Sequence, residues 1–178
     1  MRMRNRLRIL GGILTLVFTV SVAGAQNVTF PNDQREVDGF SALAIITTSE
    51  NWLEIWRQPN DFDVKFDTPN TLLMEQTANI IVMFSNPMTE DGYANIFCDF
   101  QVEERDGSIQ GSSDPTPCFT VKINGPIGNL YLAGFHLGFE GEGPADLGLH
   151  TFHIGVTDRI RDVRVPLTVS IEIVEAGS

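Results

Sequence analysis

The chain has 178 residues, 42% of them hydrophobic and 20% charged, with 12 Lys and Arg against 23 Asp and Glu. That length supplies one domain core, and a mean hydropathy near zero with nine Pro excludes a multi-span membrane protein, collagen and wholesale disorder. The acidic balance disfavours a nucleic-acid partner, because phosphate binding needs a basic face.

The first 25 residues read as a signal peptide. Arg2, Arg4, Arg6 and Arg8 form a basic start, Ile9 to Val22 is almost wholly apolar, and Ala23-Gly24-Ala25 gives the small-x-small pattern before Gln26. The apolar run is short of the roughly 20 residues a spanning helix needs, so no stable membrane insertion is expected once the leader is cleaved. Its removal takes four of the twelve cations and no acidic residue, leaving eight against 23 and a formal charge of −15. The expected compartment is the periplasm or the medium. The only two cysteines, Cys98 and Cys118, are then expected to form a disulfide, since they lack a Cys-x-x-Cys redox spacing and cannot complete a zinc site alone.

Along the rest of the chain, residues 26–37 are polar and aperiodic and predict a flexible arm, with a single β-sandwich domain over 38–178. Phe40 to Thr48 is an apolar, β-branched run. Ser49 is the expected N-cap of a short helix that carries Trp52 and Trp56 on one face and stops before Pro59. Asp61 to Asp67 alternates carboxylates with apolar residues, a solvated strand face whose three aspartates cannot surround a cation. Further strands are expected at Asn79 to Phe84, Ile96 to Glu103, Phe119 to Ile123, Leu130 to Phe139 and Leu149 to Val156, separated by Asn-Pro, Asp-Gly and Asn-Gly turns. In Ile96 to Glu103, strict alternation points Ile96, Cys98, Phe100 and Val102 inward. The last strand alternates from Val163 to Ile173, and Pro166 within it argues for a sheet edge or a break. Seven or eight short strands with one short helix near the N-terminus predict an all-β fold, an antiparallel immunoglobulin-like β-sandwich.

The candidates for chemistry are few. His150 and His153 differ by three, so on a strand they face opposite sides, with His150 on the side of Phe152. No nucleophile elbow, zincin helix or phosphate loop is present, so no catalytic residue, metal site or cofactor is expected and the chain is expected not to be an enzyme. Trp52, Trp56, His150, Asp146 and Asp158 are the candidate ligand contacts, the two tryptophans being read first as packing anchors for the helix.

The passages Phe84-Ser85-Asn86-Pro87, Cys98-Asp99, Arg105-Asp106-Gly107 and Asp146-Leu147-Gly148, with Thr151 to Ile154, Asp158 and the alternating last strand, resemble immunoglobulin-like sandwiches of exported, uncharacterised bacterial proteins over residues 79–175. The chain departs from antibody domains in lacking their core Trp and in the close spacing of its cysteines. The resemblance implies fold and compartment and assigns no functional residue. The function expected is a non-enzymatic binding or accessory module whose partner is an envelope protein, engaged by strand addition at an open edge. The alternative is a small-ligand or divalent-cation binding protein using the loops 140–148 and 158–162.

Overall fold

The computed structural model describes residues 32–58 and 65–176. The predicted leader, residues 26–31 of the predicted arm and residues 61–64 of the acidic segment lie outside the described residues. Nine strands are observed: β1 (Asn32–Val37), β2 (Phe40–Thr47), β3 (Thr71–Leu73), β4 (Thr77–Ser85), β5 (Ile96–Glu103), β6 (Ile109–Phe119), β7 (Leu130–Glu140), β8 (Gly148–Asp158) and β9 (Val163–Val174). Among the described residues one α-helix, α1 (Trp52–Trp56), joins β2 to β3, and a short 3-10 turn, Pro144–Asp146, precedes β8. The strands make a four-stranded sheet ordered β1-β2-β4-β7 and a five-stranded sheet ordered β3-β9-β8-β5-β6.

This is an all-β sandwich, and its core follows from alternation. Ala42, Ala44, Ile80, Val82 and Phe84 of the first sheet meet Ile96, Cys98, Phe152, Ile154, Leu167 and Val169 of the second in one buried cluster. Each large side chain removed from water there contributes about 1.5–3 kcal/mol. Every pairing is antiparallel except that of β3, which runs parallel to Glu172–Val174 of β9. The purely antiparallel expectation fails at that one strand, because the chain reaches β3 after crossing from one sheet to the other.

Four further expectations are corrected and a fifth is narrowed. Residues 32–37 are strand, not flexible arm: Asn32 to Val37 pair with β2 across Asp38 and Gly39, whose positive φ values of 49° and 79° suit a two-residue hairpin. The fifth strand of the second sheet is Ile109–Phe119 rather than Phe119 to Ile123, where Lys122 makes only an isolated bridge to Tyr93. Residues 65–69, including Asp67, are not strand; Asp67 instead binds back to Thr48 and Ser49 through its backbone. Ser49 is not the cap of α1. That position belongs to Asn51, which makes no side-chain cap bond, while the Ser49 hydroxyl accepts from the Asp67 N–H at 3.1 Å. Finally, there is no break at Pro166, which pairs with Gly155 of β8, whereas the expected sheet edge is met locally, because β3 pairs only with Glu172–Val174 of β9. Thr168, two residues on, turns its N–H away from β8 to Asp33, so the position of Pro166 that lacks an N–H faces the same side, beyond the reach of three-residue β3.

Candidate functional site

The cysteines are joined, with Cα atoms 5.7 Å apart. Cys98 is buried in β5 and Cys118 near the end of β6, so the bond ties two neighbouring strands of one sheet rather than the two sheets. In the chain-entropy picture such a loop contributes about 3 kcal/mol.

The remaining candidates fall into three separate places. Trp52 and Trp56 are half-buried, and the Trp52 ring lies 5.5 Å from that of His136 on the outer side of β7, which fits the packing role. Asp158 ends β8 with no exposed surface. Its Oδ1 accepts from the N–H groups of Ile160 and Arg161, and its Oδ2 from that of Met88 at 2.6 Å. Arg161 Nε stands 3.7 Å from Oδ2, an ion-pair distance, while its other nitrogens donate to the carbonyls of Asp38 and Asn86. Asp158 thus fastens three turns together and, with no exposed surface, presents nothing to a ligand arriving from solvent.

At the other end of β8, His150 and Asp146 do come together. The imidazole Nε2 lies 2.7 Å from the Asp146 carbonyl, and the Asp146 carboxylate accepts from the N–H groups of Glu142 and Gly143. His150 faces inward beside Phe152 and His153 outward against Glu103 at 2.8 Å, as the spacing predicts. Eight residues of strand separate His150 from Asp158, about 26 Å at the usual rise, so the two cannot share a small ligand.

Sequence reasoning missed the difference between the sandwich's two flanks. On one flank the carboxylate of Asp33 on β1 accepts from the Thr168 N–H of β9 at 2.8 Å, which joins the sheets. On the other flank, β6 and β7 run side by side without being hydrogen-bonded neighbours. They approach at Gly134, where a Cβ would stand 3.0 Å from the Cys118 carbonyl oxygen, so a side chain there crowds the β6 backbone. Towards the far ends of the two strands lies an open slot of about 460 Å³, lined by Thr77, Gln110, Gly138, Phe139, Glu140 and the following loop. Pro115 and Pro117 blunt part of the β6 edge, since neither can donate a ladder bond. β7 contains no proline. The signal available in the sequence was β7 itself: eleven residues of strand character with small, uncharged outward positions Gly134 and Gly138.

Against known proteins, no family model matches the chain and no curated protein does. Among solved structures it is similar to the C-terminal domain of Wzt, with a TM-score of 0.43 and 12% identity over 82% of this chain and 79% of that one. It is also similar to a family 123 glycoside hydrolase from Clostridium perfringens (TM-score 0.42, 12% identity, 76% of this chain and 28% of that one). A third is the alkylpurine DNA glycosylase AlkC of Pseudomonas fluorescens (TM-score 0.36, 12% identity, 60% and 28%). Two of these three are enzymes, so the expectation that the chain is not an enzyme is withdrawn. Likeness at this level assigns neither activity to it.

Proposed function

We propose that the chain is an accessory module of the cell envelope that holds an extended segment of a partner protein in the slot between β6 and β7. The observation that carries this reading is the slot itself: two strand edges on one flank, touching at Gly134 and parted beyond it. Unpaired N–H and C=O groups along a strand edge template a further strand. The basic and apolar leader, with a disulfide that suits an oxidising compartment, supports the periplasm or the medium as the place of action. The relation to exported immunoglobulin-like proteins is part of the same reading. Among the described residues no helix is long and apolar enough to cross a membrane.

Gly138 provides the test, because a Cβ built there meets nothing within 4 Å. Gly138→Arg fills the slot without crowding the fold, and its unfolding free energy is expected to stay within about 0.5 kcal/mol of the parent, as for other surface substitutions. With residues 26–178 as bait in envelope extract, the parent is expected to retain a specific protein that Gly138→Arg does not. Equal retention by both sinks the slot as the binding surface.

A further inference from the structure

The end of the sandwich where β8 begins holds a second cavity, of about 310 Å³, lined by Glu104, Arg105, Asp106, Ala145, Leu147 and His150. His150 is 3% exposed. Because its Nε2 faces a carbonyl oxygen at 2.7 Å, that nitrogen carries the proton, and in the neutral ring Nδ1 is a bare acceptor. This Nδ1 is sealed from solvent and has no hydrogen-bond partner. Native proteins rarely leave a buried acceptor unmade, since nothing replaces the water it has lost.

Arg105 makes the opposite demand. Its stem packs against Gly148, where a Cβ would stand 3.2 Å from its Cδ. Among the described residues its guanidinium has neither a hydrogen bond nor an ion pair. The lining residue His150 therefore carries a sealed nitrogen that lacks a donor and Arg105 a guanidinium that lacks an acceptor, and the carboxylates of Glu104 and Asp106 stand in the same lining.

We propose that this cavity binds a small zwitterion of the amino-acid class. Its ammonium donates to His150 Nδ1 and faces Glu104 and Asp106, and its carboxylate is held by the fork of Arg105. Ala145 and Leu147 offer apolar wall to a short aliphatic side chain. A bare metal cation fits less well, since Arg105 repels it and no group of three His, Cys, Asp or Glu among the described residues is placed to hold one. A simple anion meets two carboxylates, and a neutral polyol leaves the charges of both signs without counterparts. Nδ1 is sealed without ligand, so this contact requires a shift of the lining, and the exposed Arg105 is the charged lining group with no hydrogen bond to break.

The experiment is a titration of the ¹⁵N-labelled protein, residues 26–178 with the disulfide formed, read at the imidazole nitrogens of His150. The probes are glycine, L-alanine and L-leucine, with methyl glucoside, inorganic phosphate and zinc chloride as the other chemistries. An amino acid is expected to move the Nδ1 resonance saturably towards that of a hydrogen-bonded acceptor. Arg105→Ala is expected to weaken this about tenfold with the melting temperature unchanged, and Arg105→Lys to restore part of it. The proposal is overturned by any of three results: no amino acid moves Nδ1 at up to about 10 mM, one of the other probes moves it when they do not, or Arg105→Ala binds as the parent does. None of these readings depends on the β6–β7 slot.

Discussion

The two ends of β8 bury polar groups to nearly the same degree and treat them differently. Asp158 receives three backbone N–H groups and an arginine, whereas His150 has one partner and one orphaned nitrogen. Burial alone marks neither as a ligand contact. The number of hydrogen bonds separates them, because a buried carboxylate with three of them is part of the framework and a buried imidazole nitrogen with none is not tied into it. The disulfide lies towards the same end as Asp158, since Ile96 pairs with Asp158 and Cys98 with Val156. The Asp158 end is therefore the more heavily tied end of the molecule, although Arg161 Nε there is also buried without a hydrogen bond, and the His150 end holds the orphaned imidazole nitrogen.

That contrast breaks most readily at Asp158. Asp158→Ala strands three N–H groups and removes the carboxylate facing Arg161 Nε, and is expected to cost about 3–5 kcal/mol in urea unfolding. His150→Phe removes the orphan along with the Asp146 contact, fills the same space, and is expected to change stability by less than about 1 kcal/mol. Equal losses from the two substitutions would erase the distinction between the ends. The disulfide comes next in size. Replacing both Cys98 and Cys118 by Ala is expected to cost about 3 kcal/mol through the entropy of the unfolded chain, with the denaturant slope altered because the unfolded state expands. Amide exchange is expected to quicken around β5 and β6 and to change little at the start of β8.

How much of this was legible in the sequence depended on what each residue leans on. The strands β5, β8 and β9 were readable because their own alternation decides them: Ile96, Cys98 and Val102 are buried, and so are Phe152, Ile154 and Val156. The inward direction of His150 followed from the same parity. By contrast β6 is polar and carries Pro115 and Pro117, so its strand state comes from the pairing that β5 imposes and not from its own side chains. Polar β1 was missed for the same reason, although Asp38-Gly39 after it is a hairpin signal. The work of Asp158 was only half legible: its bonds to Ile160 and Arg161 are local, whereas Met88, seventy residues away, is brought to it only by the fold. The orphaned nitrogen of His150 was equally hidden, since a missing partner is a property of the assembled cavity.

The smallest effect sharpens the comparison at the unanchored end. Asp106, at the tip of the β5–β6 hairpin and in the lining of the His150 cavity, accepts from the Ser108 N–H at 2.8 Å. Hydrogen bonds from the Ser108 side chain and backbone hold its carboxyl below the ordinary value of 3.8. A carboxylate whose folded value is depressed adds stability that is present above the unfolded value and is lost as pH falls through the folded one. The parent is therefore expected to lose stability relative to Asp106→Asn only below about pH 4, and by little, because the group is fully exposed. Its carboxyl carbon, followed by NMR, is expected to titrate below 3.8 in the parent and to move back up in Ser108→Ala. An unchanged midpoint in Ser108→Ala would mean that the turn is not held by these bonds. The cavity would then have a looser rim than the turn geometry implies, while the Asp158 end would keep its anchors.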